Sequence, residues 1–330
     1  MGGSRRLVAV SGLGSIATQH IGALSTLGGL EIVAFDPSAR LREQALASGR
    51  VRRAVATFDE LLDLDPDALI VASPDFAHLE QAQAAAERGI PSLVEKPLAD
   101  RLIDARAAVP RIEATGTATM VGYVLRHRLA VGTVRRLMAE RAVGTATSFQ
   151  VMLGAYGTIT AAASRFATAE PNRLYRDYSH EWDYLRWIFG PIREVLAVAR
   201  TTRDVPHIEH PNIVDGLIAM QADVVGSFHI DYADQRGNRS LHIIGTGGTL
   251  FADFGLGTIT LRRAGTDREE VIRQVEPAAG PLTRQASHLL AVADGTEQPR
   301  VTLRDGLAAL EATEALIQSA ENRCWVDVPD

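Results

Sequence analysis

The first third of the chain alternates short apolar runs with longer segments in which apolar and polar positions recur at helical spacing. The apolar runs predict strands at 7–11, 30–35, 67–72, 91–94 and 119–122. The segments between them predict helices at 15–27, 38–48 and 78–88. Short strands separated by helices of about ten to fifteen residues are typical of βαβ units. We therefore expect a parallel sheet with helices on its faces.

The pattern changes after residue 123. Helices are predicted at 124–141 and 172–189, on either side of a strand at 145–155, and Gly190 followed by Pro191 ends the second helix. Seven short strands then follow, at 194–201, 214–221, 224–232, 240–245, 248–254, 257–263 and 269–274. Successive short strands with turn residues between them predict a mostly antiparallel sheet with helices on one face. Helices at 283–293 and 303–321 complete the pattern.

Composition narrows the class of protein. The 330 residues, 46% hydrophobic and 22% charged, are enough for two domains with separate cores. A net charge of −6 and an aromatic content of 5% argue against a general nucleic-acid binder. The single cysteine, Cys324, has no partner for an internal disulfide. The start of the sequence lacks the apolar core of a signal peptide, and no apolar run approaches a membrane span of about 18 residues. We therefore expect a cytoplasmic protein without membrane or nucleic-acid partners.

A glycine-rich turn lies between the first predicted strand and the first predicted helix. Gly12, Gly14 and Ala17 follow the spacing Gly-x-Gly-x-x-Ala, and Ser15 and Ile16 lie between the last two. In a dinucleotide-binding turn the first glycine makes the tight bend, the second admits the pyrophosphate, and the third small residue lets helix and strand pack. The phosphates then meet the positive end of the helix. A plain strand-to-helix turn is the alternative, but the position between strand and helix favours dinucleotide binding.

Asp36 follows the second predicted strand, about twenty residues after the glycine turn, where an acidic residue binds the ribose 2′-hydroxyl of NAD. The same carboxylate repels the additional 2′-phosphate of NADP. Arg40, one helical turn further along, partly neutralises that charge. The sequence therefore predicts NAD as the cofactor and makes NADP the less favoured choice.

Ser73 and Pro74 follow the strand predicted at 67–72, and His78 starts the next helix. In a doubly wound sheet the carboxyl ends of the strands form the edge where the ligand lies. We therefore predict that Ser73 and Pro74 border the nicotinamide ribose. For His78 a local helix cap and a contact with the cofactor are equally compatible with the sequence.

Glu95, Lys96 and Pro97 follow the strand predicted at 91–94, at the same edge of the sheet. A lysine in a closed pocket is a proton-transfer group rather than a solubilising charge. Pro97 makes the turn rigid, and Glu95 places a carboxylate beside the lysine. A solvated lysine is the alternative, and we favour a catalytic Lys96 with Glu95 as part of the cofactor site.

These three motifs, in this order, resemble those of the Gfo/Idh/MocA oxidoreductase family, of the glucose–fructose oxidoreductase and inositol dehydrogenase type. The segment 245–250 is similar to a late strand-turn-strand signature of that family. The resemblance implies a Rossmann NAD(P)-binding domain, here 1–122, and a substrate-binding and oligomerisation domain, here 123–330, whose last helix is a candidate to pack back on the first. The predicted fold class is therefore α/β, a Rossmann domain followed by an α+β domain with a large, mostly antiparallel open sheet.

The resemblance also implies catalytic residues in the second domain, where an Asp/His pair on a helix acts together with the lysine. Asp177 and His180 match this pair, and with Tyr184 they share one face of the helix predicted at 172–189. In the family the Asp precedes the His by four positions, whereas here Asp177 precedes His180 by three, and Arg176 occupies the usual slot. Arg176 is therefore a candidate for an acidic substrate group, and Tyr184 for another substrate contact. The competing interpretations are a charge in a first helical turn for Asp177 and a core residue for His180.

Tyr123 and Arg126, at the start of the second domain, are predicted to hold substrate hydroxyls, with a surface patch at a helix start as the alternative. His207 and His210 have metal-like spacing but are better explained as solvated loop residues. No metal is expected, since the chain has neither cysteine ligands nor a His-Glu-x-x-His motif. The resemblance further implies a cis bond between Lys96 and Pro97.

The predicted function is NAD(P)-dependent hydride transfer between nicotinamide and a secondary hydroxyl or keto carbon of a sugar, sugar derivative or cyclitol. Two alternatives stay open. One is glycoside cleavage without net redox change, through transient oxidation by NAD. The other is an NAD-binding regulatory protein without catalysis. The resemblance suggests a homodimer or homotetramer built on the open sheet of the second domain, whose uncovered face would need burying.

Overall fold

A computed structural model describes residues 5–157, 172–203, 211–277 and 280–329. The chain divides into two compact units, one formed by Met1–His127 and Pro277–Leu307, the other by Arg128–Glu276 and Ala308–Asp330. His207, His210 and residues 158–171 lie outside the described residues. Within the described ranges, no helix is both long enough and apolar enough to cross a membrane.

The first unit contains a parallel sheet. Its strands are β1 (Arg6–Ser11), β2 (Leu30–Phe35), β3 (Arg53–Val55), β4 (Ala68–Val71), β5 (Ser92–Val94) and β6 (Thr119–Val121). They lie in the order β3-β2-β1-β4-β5-β6, and each neighbouring pair is parallel. This is the strand order of a dinucleotide-binding Rossmann fold. The predicted parallel sheet is confirmed, although β3, with only three residues, was not predicted.

Helices cover this sheet. They are α1 (Ser15–Ser25), α2 (Ala39–Ala47), α3 (Phe58–Leu62), α4 (His78–Glu87) and α5 (Leu102–Ala114). The sequence pattern missed α3, which is short, and α5, which contains Pro110 in its interior. A proline inside a helix removes one backbone hydrogen bond and normally argues against a helix there. The apolar side of α1, with Ala17, Ile21 and Leu24, packs into the core beneath the sheet.

The second unit contains a larger, mixed sheet. Its strands are β7 (Ala146–Gly154), β8 (Ile192–Arg200), β9 (Ile213–Met220), β10 (Val225–Asp231), β11 (Asn238–Gly245), β12 (Gly248–Asp253), β13 (Thr258–Arg263), β14 (Glu269–Arg273) and β15 (Val326–Asp327). The order is β14-β13-β12-β11-β7-β10-β9-β8-β15. The β7–β10 pair is parallel and the other pairs are antiparallel. The predicted α+β domain with a mostly antiparallel sheet is therefore confirmed.

Two predicted helices are each divided in the structure. The helix predicted at 124–141 consists of a short 3₁₀ turn, Val124–His127, and α6 (Leu129–Ala139). The helix predicted at 172–189 consists of α7 (Arg173–Asp177) and α8 (Ser179–Phe189). Tyr178 separates the last two, with φ −106° and ψ 22°, outside helical geometry. The closing helices are α9 (Gly280–Ala293) and α10 (Leu303–Asn322).

Side chains alternate between the two faces of the large sheet, as the period of two along a strand requires. One face is buried under α8, whose Trp182 ring meets Phe228 edge-on and whose Phe189 ring stacks on Phe149 at 4.8 Å. The opposite face exposes large apolar side chains. They are Met152, Val198, Leu217, Val225, Ile244 and Phe251. We refer to this second surface as the open face.

Gly226 in β10 is essential for the packing of the covered face. It pairs with Phe149 of β7, and a Cβ at residue 226 would lie 2.1 Å from that aromatic ring. We expect Gly226→Ala to lower the free energy of unfolding by about 1–3 kcal/mol, because the ring must leave its stacked position. Chemical denaturation measures this change.

Gly132, inside α6, is the matched control, because among the described residues no atom lies within 4 Å of the position of its Cβ. Gly132→Ala should leave stability unchanged or raise it by about 0.5–1 kcal/mol. Equal destabilisation by the two substitutions would contradict the steric explanation.

Candidate active site

The glycine turn has the backbone geometry that a pyrophosphate site needs. Gly12 has φ +87°, its N–H donates to the Phe35 carbonyl at 2.8 Å, and a Cβ here would lie 2.6 Å from the Ala72 carbonyl oxygen. Gly14 caps α1 in an extended conformation, and no atom of the described residues lies within 4 Å of its Cβ position. The space over Gly14 and the N-terminus of an eleven-residue helix therefore fit a bound phosphate group.

The three residues after Gly14 differ in their exposure to solvent. Ser15 is exposed in the first turn of α1, Ile16 is half-buried, and Ala17 is fully buried against the sheet. Ser15 and Ile16 therefore present their backbone N–H groups at the start of the helix. Ala17 provides the close helix–strand packing for which the third position of the motif is small.

Asp36 lies directly beside the glycine turn. One carboxylate oxygen accepts from the Leu13 N–H at 2.9 Å, and the other accepts from the Ser38 N–H at 2.8 Å. Arg40 is exposed on α2, whereas Arg42 donates to the carbonyl oxygens of Asp36 and Pro37 at 2.7 and 3.0 Å. The guanidinium bound to the backbone of Asp36 is thus that of Arg42, which the sequence did not single out.

His78 joins two of the loops at the carboxyl edge of the sheet. Its Nδ1 lies 2.9 Å from the Pro97 carbonyl and its Nε2 lies 2.9 Å from the Ser73 carbonyl. The ring is buried, and both nitrogens contact backbone. Ser73 donates through Oγ to Gln81 at 2.9 Å, and Pro74 leads into a short 3₁₀ turn before α4. His78 therefore fixes the geometry of these loops from within.

Glu95 follows β5 and is buried, with 6% of its surface exposed. Its Oε1 lies 2.7 Å from His20 Nε2, and its Oε2 accepts from the Lys96 backbone N–H at 3.1 Å. Burial tends to raise the pKa of this carboxyl, but the hydrogen bond and charge of His20 and the Lys96 ammonium outweigh burial and lower the pKa below its ordinary value. The bond between Lys96 and Pro97 is cis, as predicted.

Lys96 itself is half-buried at this edge. Among the 34 Lys and Arg residues of the chain it is the single lysine. An arginine guanidinium stays protonated in proteins, whereas an ammonium can give up its proton. The chain therefore has one side-chain ammonium group, and it follows β5. The composition of the sequence contained this signal, and the sequence analysis did not use it.

His20 is the other residue that the sequence analysis missed. It lies on the buried side of α1, between Ala17 and Leu24, and none of its surface is exposed. A histidine on an otherwise apolar helix face was the available signal, because a buried polar group needs a partner.

In the second unit, Asp177 ends α7. Its Oδ2 accepts from Arg173 Nε at 3.0 Å and from the Tyr232 hydroxyl at 3.0 Å. His180 is half-buried in the first turn of α8, and Arg176 is half-buried in α7 with its carbonyl accepting from Ser179 Oγ at 2.9 Å. The break at Tyr178 lies between Asp177 and His180, so the helical spacing assumed for this pair does not apply.

Tyr184 lies in the core, one helical turn after His180 on α8, and its predicted contact with substrate stays a prediction. The side chain is fully buried, and its ring meets Phe254 edge-on with the centroids 5.5 Å apart. Burial raises the pKa of its hydroxyl well above the ordinary value, and Glu181 raises it further. The Tyr184 ring therefore packs α8 onto the large sheet.

Tyr123 and Arg126, also predicted to contact substrate, are both buried within the first unit. The Arg126 guanidinium forms an ion pair with Asp305 at 3.0 Å and donates to the Arg300 carbonyl at 3.1 Å. Burial tends to raise the pKa of Asp305, but the charge of Arg126 lowers it overall. The guanidinium of Arg126 is therefore bound to protein groups within the first unit.

A groove of about 1090 Å³ lies in the second unit, at the ends of β7 and β12. Its polar lining consists of Arg128, Asp234, Arg236, Asn238, Arg239 and Asp253. Tyr178, next to Asp177, also lines it. Carboxylate, amide and guanidinium groups together can accept and donate hydrogen bonds, as a polyhydroxylated ligand requires. In the part of the chain that the structure describes, no group of three His, Cys, Asp or Glu side chains is arranged to hold a metal ion.

Comparison with known proteins agrees with this arrangement. Residues 6–123 match the model of an oxidoreductase family with an NAD-binding Rossmann fold, GFO_IDH_MocA, and residues 131–251 match the GFO/IDH/MocA C-terminal domain. The 1,5-anhydro-D-fructose reductase of Ensifer adhaerens is 27% identical over 310 residues, 91% of each chain. The D-apiose dehydrogenase of Paraburkholderia graminis is 26% identical over 337 residues, 97% of this chain and 89% of the relative.

Solved structures show the same fold. A levoglucosan dehydrogenase in complex with NADH and levoglucosan superposes with a TM-score of 0.85 at 21% identity, over 98% of this chain and 100% of the other. Both family models, the strand order and the three motifs agree. The chain belongs to the Gfo/Idh/MocA family of NAD(P)-dependent oxidoreductases.

Proposed function

We propose that this oxidoreductase transfers hydride between NAD and a secondary hydroxyl or keto carbon of a sugar, a sugar derivative or a cyclitol. The observation that carries the proposal is the position of the single lysine, Lys96, at the carboxyl end of β5, on the edge of the sheet that also holds the glycine turn. The names of the relatives, a reductase of an anhydrofructose and a dehydrogenase of apiose, support the substrate class.

The pyrophosphate would lie over the glycine turn, where Gly14 leaves space and the N–H groups of Ser15, Ile16 and Ala17 begin α1. Ser73, Pro74 and Lys96 would border the nicotinamide ribose, and Glu95 and His78 support these loops from the interior. When bound, NAD supplies the hydride acceptor or donor. The protein residues bind it, exclude water and handle the proton.

Asp36 favours NAD over NADP. Its carboxylate already accepts one N–H on each oxygen, and its remaining lone pairs fit the two hydroxyls of an adenosine ribose. A 2′-phosphate would bring a second negative charge to this place. Arg42 is held on backbone carbonyls, which limits its use as a phosphate ligand.

We expect Asp36→Asn to shift cofactor preference toward NADP by about tenfold or more, which corresponds to about 1.4 kcal/mol. The substitution keeps the size and one acceptor but removes the charge that repels a 2′-phosphate. Titration of the protein with NADH and NADPH, followed by fluorescence, gives both dissociation constants.

Arg40→Ala is the control, because this side chain is exposed and forms no hydrogen bond or ion pair with Asp36, so the substitution should leave both constants nearly unchanged. An unaltered ratio of the two constants in Asp36→Asn would argue against a role for Asp36 in cofactor choice.

Proton transfer is assigned to Lys96 and His180. In the direction of oxidation one of them takes the hydroxyl proton, and the other hydrogen-bonds to the same oxygen and positions it. Asp177 has a lesser role, since Arg173 and Tyr232 already bind its carboxylate. Arg176 would contact an acidic substrate group, and the groove of the second unit supplies hydrogen bonds for further hydroxyls.

A screen of sugars, inositols, sugar phosphates and nucleotide sugars with NAD and NADP tests the proposed function. We expect reduced nicotinamide to accumulate, measured by its absorbance, with at least one secondary alcohol. Lys96→Arg and His180→Ala should each lower kcat by about 10²–10⁴, because a proton-transfer group is lost.

Arg101→Ala, an exposed side chain five residues from Lys96, should keep full activity. Turnover retained when Lys96 and His180 are both replaced would refute the mechanism. Cleavage of a glycoside without net formation of NADH would instead favour the non-redox alternative, and NAD binding without any turnover would favour a regulatory protein.

A homodimer formed through the open face fits the exposed side chains on this surface. Six large apolar side chains lie on one face of one sheet, more than a monomer normally leaves in contact with water. The same face carries a polar cluster in which His229 lies between Asp215 at 2.7 Å and Asp231 at 2.8 Å. These carboxylates raise the pKa of His229 despite its partial burial.

We expect Val198→Arg combined with Leu217→Arg to convert the dimer to a monomer, because two charges would then lie within the apolar patch. Sedimentation velocity measures the mass of each form. Leu46→Arg, at an exposed apolar position on α2, is the matched control and should leave the dimer intact. A wild-type protein that sediments as a monomer at micromolar concentration would rule out this interface.

A further inference from the structure

We infer that His20 and Glu95 form a buried pair that positions Lys96, so that His20 acts on proton transfer although it does not contact substrate or cofactor. This inference rests on the proposed role of Lys96. It assigns a function to a histidine on the helix that follows the glycine turn.

The carboxylate of Glu95 connects two separate parts of the first unit. Its Oε1 lies 2.7 Å from Nε2 of His20, on α1, and its Oε2 accepts from the backbone N–H of Lys96 at 3.1 Å. A carboxylate only accepts hydrogen bonds, so the proton of the first contact lies on Nε2. Each oxygen of one side chain therefore holds one neighbour, and the position of α1 is transmitted to the backbone of Lys96.

The pair is enclosed by protein. None of the surface of His20 and 6% of that of Glu95 is exposed. A Cβ on Gly122 would lie 2.9 Å from the carboxyl carbon of Glu95, so the backbone after β6 closes the remaining side. Among the described residues, Nδ1 of His20 has no hydrogen-bond partner, so the His20 ring is held by its contact with Glu95. A pair so enclosed has little freedom to move.

The backbone is also held on the other side of Lys96. The carbonyl of Pro97 lies 2.9 Å from Nδ1 of His78, which is itself buried. Buried side chains therefore contact the N–H of Lys96 and the carbonyl of Pro97, and the Cα of Lys96 lies between these two contacts. Removing His20 leaves Glu95 free to move, and with it the carboxylate oxygen that holds the N–H of Lys96.

A purely structural pair would have a different consequence. If His20 and Glu95 served only to pack α1 onto the sheet, their loss would reduce stability and cofactor binding, and an apolar replacement of both would restore function together with stability. Replacing both partners of a buried hydrogen bond by apolar groups is often nearly neutral for stability, whereas removing one partner leaves an unpaired charge. Comparison of single and double variants separates the two explanations.

The variants are His20→Gln, His20→Leu and the double variant His20→Leu with Glu95→Met. We expect the melting temperature to fall in His20→Leu and to recover in the double variant. In both, kcat should be at least about tenfold lower, because a small misplacement of a reacting group has a large effect on rate. The dissociation constant of NADH should change little. His20→Gln keeps an N–H donor and should recover most of kcat.

Gln19→Leu, at the exposed neighbouring position on α1, is the matched control and should keep kcat and stability. A double variant with the kcat of the original protein would overturn the inference, and so would a His20→Leu protein that loses NADH binding while its kcat is unchanged. If His20→Leu does not fold, the kcat values of His20→Gln and the double variant still distinguish a positioning role from a purely structural one.

A second measurement does not depend on finding a substrate. Incorporation of lysine labelled with ¹⁵N at the ε position gives one side-chain resonance, since Lys96 is the single lysine. We expect this resonance to shift in the double variant and to stay in place in Gln19→Leu, with NAD present in each case. An unchanged resonance in the double variant would overturn the positioning role. A shifted resonance in a protein without dehydrogenase activity would leave the positioning intact and reject the proposed function instead.

Discussion

The parallel pairing of β1 with β2 on one side and β4 on the other is the constraint on which the first unit depends. Parallel strands that are neighbours in a sheet end at the same edge, so whatever follows each strand is brought to one place. Here the glycine turn follows β1, Asp36 follows β2, Ser73 comes just after β4 and Lys96 just after β5. The chemistry of the site is thus assembled by backbone hydrogen bonds between strands. Loops supply only the final residues.

The same edge contains buried polar groups that do little for stability by themselves. Burying a carboxylate is costly, and a buried pair often gives no more stability than an apolar pair of the same size. Glu95 with His20, and His78 between two carbonyls, are better explained by position than by stability. Each of them joins segments that the sheet has already brought close, and each restricts the conformations left to the loop of the lysine.

Most of the first unit could be predicted from the sequence, because its signals are local. The apolar runs, the glycine spacing and the acidic residue after β2 each report on a few neighbouring positions. What could not be predicted depends on contacts between distant residues. The guanidinium beside Asp36 belongs to Arg42, because α2 begins at Ala39 and turns that side chain back onto the strand end. His20 was missed since its partner lies 75 residues away.

In the second unit the element types were predictable, and the exposure of particular side chains was not. Periodicity placed Tyr184 on one helix face with Asp177 and His180, but the structure buries the Tyr184 ring in the core, and the break at Tyr178 separates Asp177 from α8. Arg126 was predicted to hold substrate hydroxyls, with a surface patch at a helix start as the alternative, whereas the structure buries it against Asp305, 179 positions away. A single sequence contains the pattern of burial along each element but not the partner that makes burial of a polar group favourable.

Under the proposed function, the scarcity of lysine has a consequence for the reaction of this protein with reducing sugars. Open-chain sugars and other aldehydes react with unprotonated primary amines, and over time they modify the lysines of proteins exposed to them. Arginine guanidinium groups remain protonated and are much poorer nucleophiles. The side chains of this protein offer such carbonyl compounds one primary amine, that of Lys96, and it is half-buried. Slow chemical damage of this kind would therefore appear as loss of turnover, while surface charge and solubility stayed the same.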